Sequence, residues 1–79
     1  MKILVVDDDP AIRLLYKEEL EEEGYEVISA SSGEEALKLF DEEEPDLVTL
    51  DILMPDMDGI QVLRKMKQMR PRIPIIMST

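Results

Sequence analysis

The chain has 79 residues, nine Lys and Arg against nineteen Asp and Glu for a formal net charge of −10, and no Cys, His or Trp. That length is one small domain or a piece of a larger one, and an apolar content of 44% belongs to a folded domain rather than a disordered tail. The missing residue types exclude a disulfide framework, a zinc, iron or copper site and a Ser-His-Asp or Cys-His nucleophile, leaving only a hard, all-oxygen metal site.

The acidity argues against direct contact with nucleic acid or an anionic membrane, both of which want Lys and Arg. The apolar runs fall far short of the ~20 residues of a membrane span. The few residues before the first Asp are too short for a signal peptide. A cytoplasmic setting is the expectation, in keeping with the absence of Cys.

Ile3-Leu4-Val5-Val6 is a β-branched-rich run ended by Asp7, which predicts a strand buried on both faces. Pro10 follows at a natural first helical position, with Asp9 or Asp8 as N-cap. Ile12, Leu15, Tyr16 and Leu20 then recur at helical spacing up to Gly24, a C-terminal stop. Tyr25 to Ala30 alternates and predicts a second strand nearer an edge. Ser32 with Glu35 three residues on is a capping box, and Ala36, Leu37 and Phe40 line the helix that follows until Pro45 closes it.

Leu47 to Leu50 predicts a third strand, ended by Asp51. Pro55-Asp56-Met57-Asp58-Gly59 is turn chemistry, with Asp58 able to cap a third helix whose Val62, Leu63, Met66 and Met69 share a face. Pro71 ends that helix, and Ile73 to Met77 predicts a fourth strand. The Glu-rich runs at 18–23 and 41–44 read as solvated helix ends that give solubility.

Each strand-helix-strand step is short enough for a right-handed parallel crossover. The fold class is therefore an open α/β parallel sheet, βαβαβαβ, with helices on both faces. Such sheets bind ligands at the C-terminal ends of their strands. Those ends carry Asp7-Asp8-Asp9, Asp51 and Ser78-Thr79. If the first and third strands are neighbours, several carboxylates converge, and that repulsion suits Mg²⁺. Asp7-Asp8-Asp9 also has a plain reading as helix capping. Asp51 is harder to explain so, because it sits inside an apolar run and caps nothing.

Three segments together resemble the receiver domain of two-component response regulators, of the chemotaxis-regulator type. They are Leu4-Val5-Val6-Asp7-Asp8-Asp9, then Asp51 through Met54-Pro55-Asp56-Met57-Asp58-Gly59, then Pro74 through Ser78-Thr79. The resemblance covers the whole chain and implies a flavodoxin-like fold of strand order 2-1-3-4-5. It implies Asp51 as phosphoacceptor, a histidine kinase or phosphotransfer protein as donor, and a module that is not an enzyme beyond self-catalysed phosphoryl transfer. It implies Mg²⁺ held by Asp8, Asp51 and the backbone carbonyl of Leu53, with Asp7 reaching it through water. Thr79 falls on the switch-hydroxyl position, and Pro55 and Gly59 support the loop.

Receiver domains run to about 120 residues, within the common domain size. Residues 1–79 therefore read as the N-terminal two-thirds of one. The fourth helix, the fifth strand with its lysine, and the fifth helix have no counterpart here. An open fourth strand carrying Ile73, Ile75, Ile76 and Met77 leads to the expectation of a homo-oligomer joined through that edge. The alternative to a phosphoacceptor is a truncated or engineered fragment that self-associates and does not signal. A haloacid-dehalogenase-type phosphatase is disfavoured, because Ala11 stands where that signature wants Thr or Val.

Overall fold

The computed structural model describes residues 1–54 and 58–78. Four parallel strands alternate with three helices: β1 Lys2–Val6, α1 Pro10–Glu22, β2 Glu26–Ala30, α2 Gly33–Glu43, β3 Leu47–Asp51, α3 Gly59–Met69 and β4 Ile75–Ser78. The strand order is β2-β1-β3-β4, with every pair parallel. This is the expected flavodoxin-like sheet, and it makes β1 and β3 neighbours. Among the described residues, no helix is long and apolar enough to cross a membrane.

Local chemistry sets the boundaries. Asp9 is the N-cap of α1, its side chain accepting from Ala11 N at 2.9 Å with Pro10 following. At the other end, Gly24 takes φ +93°, a left-handed conformation that costs glycine nothing. Gly24 N donates to Glu21 O and Tyr25 N to Leu20 O, the paired bonds of a Schellman stop. Tyr25 spends its N–H there, so β2 starts at Glu26 instead of Tyr25. The capping box at α2 is also displaced. Ser32 Oγ accepts from Glu35 N at 3.2 Å as expected, but Glu35 Oε1 accepts from Ser31 N at 2.7 Å, one residue before the cap.

The fourth strand begins later than its apolar run. Ile73 N donates to Arg70 O in a turn, and Pro74, having no N–H, joins the ladder only by accepting from Val48 N. The ladder then continues to Ser78, whose carbonyl accepts from Ile52 N at 3.2 Å.

Alternation along each strand divides the core. Leu4, Val6, Val48 and Leu50 pack with Ala36 and Phe40 of α2 and Val62 and Met66 of α3. Ile3 and Val5, equally buried, face the opposite way under α1. The two faces are not covered equally. The pair α2 and α3 shares contacts across β1, β2 and β3, whereas α1 rests on β2 and β1. No residue of α1 is buried, and Leu15 keeps 49% of its surface exposed. The helical stripe of Ile12, Leu15, Tyr16 and Leu20 is thus real but half-used. Met69, expected on the inner face of α3, lies in its last turn and is exposed. The Glu-rich ends are solvated, apart from Glu43, which approaches Lys2 Nζ at 3.8 Å.

Arg70 closes the end of the molecule away from the acidic strand ends. Its guanidinium lies 4.7 Å over the Phe40 ring, and Nη2 donates to Pro45 O. That ties the end of α3 to the end of α2. Nearby, an apolar cleft of about 530 Å³ is lined by Asp46 and residues 69–74. It sits at the N-terminal strand ends, where a parallel sheet gathers no converging functional groups.

Candidate functional site

The register decides what meets at the other end. Val6 pairs with both Ala30 and Leu50, so Asp7 and Asp51 leave adjacent strands at the same level. Asp51 in turn pairs with Ser78. The result is a crevice of about 360 Å³ lined by Asp7, Asp8, Asp9, Ile12, Tyr16, Asp51 and Ser78. One carboxylate oxygen from each of Asp7, Asp8 and Asp51 lies within 4.8 Å of the others, the metal-competent group found among the described residues.

The three carboxylates sit in different surroundings. Asp7 is 7% exposed, the buried charged residue of the described core. Its carboxyl is pushed above the ordinary carboxylate range, first by burial and then by the charges of Asp51, Asp8 and Asp9; a hydrogen bond from Asp9 N, 2.9 Å from Oδ1, pulls the other way. Asp8 is exposed. Asp51, expected near-buried, is half-buried, and its Oδ1 accepts from Leu53 N at 2.9 Å. This bond holds the chain in a tight turn past β3 and leaves the Leu53 side chain 68% exposed.

Gly59 begins α3 against Ile52, behind the same turn. A Cβ there would stand 2.6 Å from Ile52 Cα, so the position has no room for a side chain. Asp58 caps the helix, accepting from Ile60 N at 3.0 Å and Gln61 N at 3.4 Å. Pro55 and Thr79, singled out from the sequence, lie outside the described residues.

Two features escaped sequence reading. Tyr16 reads as helix-face packing, yet it lines the crevice. Arg13 Nη1 donates to the backbone carbonyl of Asp7 at 2.7 Å. Its position one turn after the cap, with Arg13 N bonded to Asp9 O, is the signal that could have found it.

Chemically, the crevice concentrates hard oxygen donors of like charge, which a small divalent cation would neutralise. Asp8 and Asp51 offer accessible carboxylates, and the donor set suits Mg²⁺ rather than a softer metal.

Comparison with known proteins places this arrangement. The family model for the response regulator receiver domain matches residues 3–79. The chain belongs to the response regulator receiver family. This receiver chain is 50% identical over 78 residues to the alkaline phosphatase synthesis transcriptional regulatory protein PhoP of Bacillus subtilis, covering 99% of itself and 32% of PhoP. It therefore spans about a third of the length of that curated relative. Among solved structures, it resembles response regulator TrrA of Thermotoga maritima in complex with Mg²⁺ and BeF, with a TM-score of 0.91 and 51% identity over 96% of this chain and 66% of that one. TrrA in complex with histidine kinase ThkA gives a TM-score of 0.89 at the same identity and coverage. The receiver is a signalling module of two-component systems, and its incomplete flavodoxin-like sheet is the family's fold.

Proposed function

We propose that residues 1–79 form the N-terminal two-thirds of a receiver domain in which Asp51 accepts a phosphoryl group with Mg²⁺ bound at the acidic cluster. The observation that carries this reading is the convergence of Asp7, Asp8 and Asp51 at the C-terminal ends of β1 and β3. Phosphoryl transfer asks a protein for positioning and charge neutralisation more than for covalent assistance. The Leu53 N–H occupies Asp51 Oδ1 and leaves Oδ2 as the attacking oxygen. As Oδ2 bonds to phosphorus, the donor's leaving atom departs with its electron pair, giving an acyl phosphate on Asp51. Asp8 and Asp51 would hold Mg²⁺, with the Leu53 carbonyl as a third ligand and Asp7 reaching it through water. Bound there, the ion offsets the repulsion between the carboxylates and the incoming anionic group. Thr79, the residue that follows Ser78 in the sequence, would donate its hydroxyl to the new phosphoryl oxygen.

The donor proposed is a histidine kinase or a phosphotransfer protein, supported by the kinase complex of TrrA. A small acyl phosphate, such as acetyl phosphate, tests the chemistry without it. In Mg²⁺ the chain should gain the mass of one phosphoryl group, and Asp51→Asn should gain none. An adduct that persists in Asp51→Asn, or none on the native chain, overturns the reading.

We also propose that the 79-residue chain pairs with a second copy through β4. The carbonyls of Pro74 and Ser78 face β3, so alternation turns the backbone groups of Ile75 and Met77 to the outer edge. Ile76 is 56% exposed beside it, on the sheet face that α1 leaves open. An unpaired apolar edge is a template for another strand, and a two-fold axis at Ile76 would pair Ile75 with Met77 of the second copy. Light scattering at micromolar concentration should give the mass of a dimer, and Ile76→Lys a monomer. A native chain that remains a monomer removes the pairing.

A further inference from the structure

We propose that Arg13 is a positioning residue for the acidic cluster, acting on cation binding through the peptide between Asp7 and Asp8. The proposal rests on the reading of the crevice as a Mg²⁺ site.

Arg13 projects from the first turn of α1 back over the chain that leads into it. Its Nη1 donates to Asp7 O at 2.7 Å in a half-buried setting. Asp7 O is the carbonyl of the Asp7–Asp8 peptide, so this bond fixes the plane from which the Asp8 side chain departs. Asp7 N donates to Ala30 O, and Asp9 N to Asp7 Oδ1. The segment is therefore held before and after this peptide, and Arg13 holds its middle. Asp8 is the exposed member of the cluster, and its carboxylate makes no hydrogen bond to other described groups that would orient it. The orientation that brings it within 4.8 Å of its neighbours is thus set by the backbone on which it stands.

A second effect of Arg13 has the opposite sign. The ion pairs among the described residues belong to Lys2, so the guanidinium stands near the cluster without neutralising any of its carboxylates. Its positive charge repels a divalent cation. Removing the side chain therefore has two separable consequences. Loss of charge would tighten cation binding, whereas loss of the peptide anchor weakens it. Groups that orient a ligand from outside the coordination sphere matter by about 10- to 100-fold in affinity. In this proposal anchoring is the larger of the two effects.

The test measures Mn²⁺, a spectroscopically visible stand-in for Mg²⁺, by electron paramagnetic resonance. Native chain, Arg13→Met, Arg13→Lys and the distant surface control Arg64→Gln are titrated, with melting in EDTA recorded for each. Arg13→Met should bind about tenfold more weakly, with Arg13→Lys intermediate because it keeps one donor for the Asp7 carbonyl while retaining the repelling charge. Arg64→Gln should match the native chain. Unchanged or tighter binding in Arg13→Met overturns the role of Arg13 and leaves the metal reading intact. If Arg13→Met does not fold, Arg13→Lys decides, and native affinity in it overturns the proposal. No saturable binding by the native chain overturns the metal reading and Arg13's role together.

Discussion

Gly59→Ala should destabilise the domain by about 3 kcal/mol, near the upper end of what an overpacked core methyl costs. For a domain of this size that lowers the melting temperature by more than 10 °C, at about 4–8 °C per kcal/mol. The reason is space rather than backbone conformation, because Gly59 is not among the residues with positive φ. The added Cβ would meet Ile52 Cα at 2.6 Å and Ile52 Cβ at 3.0 Å. Neither atom is the free end of a flexible side chain. Ile52 N is bonded to Ser78 O, and its neighbour Asp51 is paired in the sheet. The start of α3 must therefore move, and Val62 and Met66, both buried in the core, move with it. Thermal melts followed by circular dichroism check this. An alanine variant within about 1 kcal/mol of the native chain would show that the α3 start yields more easily than its contacts allow.

Asp7→Asn should raise stability without metal and lower the gain from Mg²⁺. Burial and three neighbouring carboxylates lift the Asp7 pKa above its unfolded value. The folded state consequently holds a proton over a pH range in which the unfolded state has released it. Stability is then full below the unfolded pKa and falls as pH rises through the folded one. Above that range the ionised Asp7 is a cost that asparagine removes, while its Oδ1 still accepts from Asp9 N.

A gain of about 1 kcal/mol is expected in EDTA, the usual size for relieving a strained functional site. The advantage should shrink at low pH, as the native Asp7 takes up its proton. Ligand binding to the folded state stabilises by RT ln(1 + [L]/Kd), so millimolar Mg²⁺ should raise the native melting temperature and raise that of Asp7→Asn less. Melting in EDTA and in Mg²⁺, each across pH, reads both effects. An Asp7→Asn variant less stable than the native chain in EDTA would contradict the repulsion argument.

Element order, parallel topology and the acidic strand ends were legible in the sequence because each depends on local signals. Apolar runs of four residues ended by Asp marked β1 and β3, and Asp9, Ser32 and Asp58 marked the helix starts. What was hidden depends on where backbone groups go in three dimensions. Tyr25 and Ile73 look like strand residues, but their N–H groups bond to Leu20 O and Arg70 O. Glu35 satisfies Ser31 rather than Ser32. The half-used α1 stripe was legible in part, because a chain ending at β4 leaves some of that face without its usual neighbour, as the exposure of Leu15 shows. At the site, the carboxylates were readable as residue types at strand ends. Arg13 was not, because its partner is a carbonyl and a carbonyl has no letter in the sequence.

The unequal covering of the sheet grades the stability within this small domain. β1 lies between two strands and beneath helices on both faces, so exposing its amides requires nearly global unfolding. Among the described residues of a single chain, β4 is held by one strand and by the packing of Ile75 on the core, and without a second copy on its outer edge it can open at a fraction of that free energy. The acidic crevice straddles the gradient. Asp7 and Asp8 stand on the part that opens last, and Ser78 on the part that opens first. Asp51 lies between them, so fluctuations at the site change its distance from Ser78 more readily than its distance from Asp7.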